Sequence, residues 1–236
     1  MFGLALVMAV VSDLGGSGGA ERHFSHLHEY LRAGSDVKPV FITARSALGL
    51  LQRAGRLLDP ASVVAMSLGA RPGRGWIGVL RLTLALLWAT WRGRFDIVHL
   101  CLPTPVYVPY AALVTRLPKA WRPRVVLNVI DCTLAPNLIA GRTTDRYEAQ
   151  VVDAHKMFFE WTKLDGVYSW YDAFVRVAKT QQLFPPHVVL QSARYCFTDV
   201  TRFRPADRKE DVMVYAGRLS TQKRPLLFVD AVASLR

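Results

Sequence analysis

Two stretches of the chain combine residue types able to grip an anion. The first, Gly15-Gly16-Ser17-Gly18-Gly19, lies between an apolar run and the start of a helical pattern. Glycine lets a ligand approach the backbone, and the unpaired N–H groups at a helix start attract phosphate, so Gly16, Gly18 and Gly19 form a candidate anion site. A turn needed only for packing is the alternative. The second stretch runs Gly217-Arg218-Leu219-Ser220-Thr221-Gln222-Lys223-Arg224-Pro225. A guanidinium fork at Arg218 and a point charge at Lys223, at the carboxyl end of a strand, suit a diphosphate. Basic loops of this kind are also commonly solvated charge.

Other motifs are excluded by their spacing. Read from Gly16, a dinucleotide fingerprint finds Gly18 but meets Glu21 where its third glycine belongs, and the second strand ends in Thr43-Ala44-Arg45 without an acid. No Gly-Lys-Ser/Thr is present, which removes the P-loop. His23, His26 and His28 crowd one helix but none stands four residues from another, so they read as a solvated face and not as metal ligands. Cys101, Cys132 and Cys196 lie far apart, without a disulfide framework or zinc spacing, which points to a reducing compartment. Ser169 has no neighbouring His and acid to make it a nucleophile. His99 sits in an apolar strand, where it is either a hydrogen-bonded core residue or a cleft-edge contact.

The elements that would position these residues alternate regularly. Apolar runs at Phe2 to Val11, Val37 to Thr43, Asp96 to Cys101, Arg124 to Ile130, Gly166 to Ser169 and His187 to Leu190 predict strands, and Ser62 to Ala65 is a further short apolar segment. Helical patterns fall between them: one starts at Ala20, and others cover Ser46 to Leu58, Trp76 to Trp91, Val106 to Leu117, Asp145 to Leu164 and Tyr171 to Gln181. Unbroken apolar strands, each followed by a helix, imply a Rossmann-like doubly wound parallel sheet. Past an irregular stretch, Val212 to Ala216 and Pro225 to Arg236 predict one more strand and helix, too little for a core, so residues 1–207 are expected to form one domain and 208–236 the start of a second, incomplete one.

Thirty Lys plus Arg against 18 Asp plus Glu give a net charge of +12, which draws the chain toward polyanions or phosphate-bearing ligands. No recognition helix, zinc finger or aromatic RNA motif accompanies the charge, so nucleic acid is not the expected partner. The run WIGVLRLTLALLWATW at Trp76 to Trp91 is interrupted by Arg81 and is shorter than the roughly 20 residues a spanning helix needs. With Arg45, Arg53, Arg56, Arg71, Arg74, Arg92 and Arg94, it suits either a helix packed on the sheet with solvated arginines or one resting on an anionic membrane surface.

Several segments together resemble the family 4 glycosyltransferases of the GT-B fold. They are Gly18-Gly19-Ala20-Glu21-Arg22, Phe95-Asp96-Ile97-Val98-His99, Asp199 with Phe203 and Pro205, and above all Tyr215-Ala216-Gly217-Arg218-Leu219-Ser220 with Lys223. The resemblance implies a retaining hexosyltransferase that takes a nucleotide-sugar donor and a lipid-linked or saccharide acceptor, without metal or other cofactor. It implies that Arg218 and Lys223 hold the donor diphosphate, faced by Gly16, Gly18 and Gly19, while His99 and Asp131 lie on the acceptor side. Fixed cations there would stabilise the leaving-group charge. Many members carry a His-Asp pair where this chain has Ile130-Asp131, and the family's paired glutamates are not found before Arg236. This chain alone is therefore expected to be inactive. The expected setting is cytoplasmic, peripheral to the inner face of the membrane. The alternative is an inactive GT-B-like binding module with a basic, membrane-facing surface.

Overall fold

The apolar runs build one sheet. β1 (Ala5–Val11), β2 (Val37–Ala44), β3 (Val63–Met66), β4 (Ile97–Leu100), β5 (Arg124–Val129), β6 (Gly166–Ser169) and β7 (Val189–Ser192) pair in the order β3-β2-β1-β4-β5-β6-β7, every pair parallel. Helices α1 (Gly19–Gly34), α2 (Gly75–Gly93), α3 (Val108–Arg116) and α4 (Asp172–Thr180) lie between strands, and α5 (Pro225–Ala233) follows the last. The protein is α/β, and its strand order reverses between β1 and β4, as in Rossmann-like sheets. This computed structural model describes residues 5–11, 19–34, 37–44, 63–66, 75–101, 105–129, 153, 156–192 and 225–234. The helix expected at Ser46 to Leu58 and the strand expected at Val212 to Ala216 lie outside them.

Strand register assigns side chains to faces, because successive residues of a strand point to opposite sides. Ile42, Val98, Leu100, Val125, Leu127, Val129 and Val167 share one face, and all belong to the buried apolar cluster. Leu82 and Leu86 of α2, Tyr110 and Val114 of α3, Phe158 of the helical segment 156–161, and Phe174 and Ala178 of α4 join that cluster. The opposite face carries His99 and receives α1, whose Phe24 ring meets the imidazole edge-on at 5.8 Å. Helices thus cover both faces, as expected.

One hydrogen bond ties α2 to α3. Thr90 Oγ1 donates its single proton to the Leu86 carbonyl at 2.8 Å, so at the 2.6 Å contact with Tyr110 the phenol must be the donor. Burial pushes the Tyr110 pKa well above its ordinary value, so the donor proton is held. Tyr110→Phe is expected to cost about 1 kcal/mol in urea unfolding, because the acceptor left behind keeps its bond to Leu86. At the end of α2, a Cβ on Gly93 would lie 2.3 Å from the Phe95 ring, so any larger residue there must displace that buried ring.

The elements depart from expectation where proline or turn chemistry intervenes. The helix expected from Val106 to Leu117 splits into a 3-10 turn, Pro105–Tyr107, and α3, because Pro109 has no N–H to continue the ladder. β7 starts two residues later than expected, since a turn closed by Val188 N–H on the Pro185 carbonyl takes the preceding residues.

The chain divides into two compact units, Met1–Phe197 and Thr198–Arg236. The first contains the whole described sheet. In the second, α5 buries none of its described residues.

Candidate functional site

In open parallel sheets, ligands bind outside the carboxyl ends of the strands where the order reverses. Here that point lies between β1 and β4. α1, the helix that follows β1, opens at Gly19, and β4 carries His99 near its carboxyl end. Gly16, Gly18 and Asp131, like Arg218 and Lys223, lie outside the described residues. Of the residues singled out by motif, His99 and Gly19 are therefore the two the structure describes.

His99 is buried at 8% exposure and sits among polar groups. Its Nε2 lies 2.7 Å from the Tyr168 hydroxyl, and the two rings stack at a tilt with centroids 5.3 Å apart. The Cys101 Sγ approaches Nδ1 at 3.9 Å. Burial raises the Cys101 pKa well above its ordinary value, so at neutral pH it is a thiol, a weak hydrogen-bond donor and not a nucleophile. Register explains the convergence: His99 aligns with Val126, and Asn128 with Tyr168, so His99, Asn128 and Tyr168 occupy the same face on three adjacent strands.

Asn128 is fully buried, and among the described residues neither its amide nitrogen nor its oxygen has a hydrogen-bond partner. Leaving such a group unsatisfied costs about 1–3 kcal/mol, so the amide beside the hydrogen-bonded His–Tyr pair is available to a water or a ligand. The imidazole can donate or accept toward Tyr168 according to its tautomer. Together these groups can recognise hydroxyls by hydrogen bonding. Among the described residues, no group of three His, Cys, Asp or Glu could hold a metal ion.

Neither Asn128 nor Tyr168 belongs to a motif. Their only sequence signal is a polar side chain at alternate positions of apolar strands, RVVLNV and GVYS, and it acquires meaning once the register is known. Ser169 points to the opposite face and accepts the Tyr171 N–H at 3.1 Å, a structural role. The histidines of α1 are not one solvated face: His26 sits 3.6 Å from Glu29, whereas His28, one helical turn after Phe24, is buried at 2% exposure.

A cavity of about 740 Å³ extends along the same sheet face toward the amino ends of the strands, lined by Arg122, Arg124, Val126, Gly166, Tyr168 and Gln191 among others. Among the described residues, only Tyr168 belongs to both this cavity and the His99 cluster.

Compared with known proteins, the chain matches no family model and no curated sequence.

Proposed function

We propose that residues 1–207 form the acceptor-side domain of a retaining GT-B glycosyltransferase and that residues 208–236 bring a donor-binding loop. In this reading Arg218 and Lys223 grip a nucleotide-sugar diphosphate, and the loop of Gly16, Gly18 and Gly19 is a phosphate-binding turn. A lipid-linked or saccharide acceptor presents its hydroxyl near His99 and Asp131. The observation that carries the reading is the orphaned Asn128 beside the His99–Tyr168 pair, at the carboxyl side of the point where the strand order reverses. Hydroxyl-rich ligands supply the donors and acceptors such a surface lacks.

Binding of uridine and guanosine diphosphate sugars to this chain, measured by ligand-observed NMR at millimolar concentration, tests the donor half. Weak, salt-sensitive binding is expected, falling tenfold or more in the Arg218→Ala, Lys223→Ala double variant, since hydrogen bonds to charged groups contribute about 1.5–3 kcal/mol each. Binding that the double variant leaves unchanged would overturn the assignment. A chain that binds no nucleotide sugar yet partitions onto anionic vesicles would be the inactive membrane-facing module instead, the reading favoured by Ile130 in the place of a histidine.

A further inference from the structure

We infer that α2, with the outward side of α3, is a docking face for an anionic lipid surface. The sequence left open whether Trp76 to Trp91 packs on the sheet or faces a membrane, and the helix has a separate arc for each. Leu82, Thr83, Leu86 and Thr90 are buried against the sheet side. Trp76, Ile77, Leu80, Leu84, Trp88 and Trp91 are exposed, Trp76 at 76% and Trp91 at 86%. At 3.6 residues per turn these six fall within an arc of about 120°.

A helix apolar on nearly every side belongs in a core or against lipid, and contiguous exposed apolar patches mark interaction surfaces. Among the described residues no helix is long and apolar enough to cross a membrane. The remaining geometry is a helix lying in the interface plane. Tryptophans at both ends of the arc suit that depth, because an indole has an apolar body and one polar N–H.

The charges select the partner. α2 and α3 contain no acidic residue, while Arg81 and Arg92 border the exposed arc, with the Arg92 guanidinium 5.1 Å from the Trp88 ring centroid. α3 packs beside α2 and exposes Leu113 and Arg116; Leu117, Lys119 and Trp121 follow it, also exposed. From residue 75 to residue 124 there are seven Lys or Arg and one acid, Asp96. A second copy of this chain would bring arginine against arginine with no carboxylate on either helix to pair them. An anionic headgroup layer satisfies both the cations and the apolar arc.

This inference goes beyond the glycosyltransferase reading and does not depend on it, since Arg218 and Lys223 take no part in the face. The test is sedimentation of the full chain with vesicles of phosphatidylcholine alone and of phosphatidylcholine mixed with phosphatidylglycerol. Binding is expected only to the anionic vesicles, weakening with salt. Two variants, Leu80→Gln with Leu84→Gln and Trp91→Gln, and Arg81→Glu with Arg92→Glu, should each lower the partition tenfold or more without changing the thermal midpoint. Quenching of wild-type tryptophan fluorescence by brominated acyl chains reads insertion without any variant. Equal partition onto both vesicle types, no quenching, or a dimer that the glutamine variant disrupts while vesicles stay unbound would each overturn the inference.

Discussion

Replacing Asp165 by alanine is expected to lower stability by about 3–5 kcal/mol, because it strands a buried guanidinium. Arg122 forms a bidentate pair with Asp165, Nη1 to Oδ2 at 2.5 Å and Nη2 to Oδ1 at 3.0 Å, and the Val125 N–H donates to Oδ2 at 2.8 Å. The side chains are only 4% and 17% exposed, so solvent does not screen this pair as it screens surface ion pairs. The clamp also joins strands: Asp165 N–H donates to the Val125 carbonyl, and Val189 N–H to the Asp165 carbonyl, so the loop before β6 ties β5 to β7.

The same pair sets a pH dependence. Burial works to raise the Asp165 pKa, but the hydrogen bonds from Arg122 and Val125 and the charges of Arg122 and Lys119 outweigh it and hold the carboxyl below its usual range. A carboxylate with a lowered folded-state pKa stabilises the fold above the unfolded value near 4, and that stabilisation is lost as pH falls through the folded value. Urea unfolding of wild type and Asp165→Ala across this range should show a wide gap at neutral pH that narrows in acid. A gap that stays constant would mean that the carboxylate's charge is not what stabilises the clamp.

How much of this was legible in the sequence differs from element to element. β6 stands where its apolar run placed it, and β2 and β5 differ by one residue at an end, because β-branched and aromatic residues dominate short segments bounded by turn residues. The burial of His28 is hidden in the sequence, because histidine is a polar type, even though it falls one turn from Phe24. α2 was ambiguous for a different reason. A helix apolar on nearly every side has no weak face, so only packing against Tyr110 and the sheet decides which arc is buried. The His99–Asn128–Tyr168 convergence was out of reach for sequence reasoning, since three residues up to 69 positions apart meet only through strand order and register.

Asn128 offers the sharpest contrast between stability and function. Asn128→Val keeps a side chain of similar size, suits a strand, and removes two unsatisfied buried groups, so it should stabilise the protein by about 1–3 kcal/mol. At about 2–4 °C per kcal/mol for a chain of this size, the thermal midpoint should rise measurably. Asn128→Asp places an unpaired carboxylate in the same position and should destabilise by about 3 kcal/mol or more at neutral pH. Burial would raise that carboxyl's folded-state pKa, so the loss should shrink as pH falls and the group takes up a proton, opposite in sign to the behaviour of Asp165. Departures from local packing rules in natural proteins concentrate at functional sites, so an unsatisfied buried amide points to a ligand. A stabilised Asn128→Val protein that has lost recognition of hydroxyl-bearing ligands would locate the site on this face; one that is destabilised would show that the amide is satisfied within the fold, and would remove the residue on which the functional reading rests.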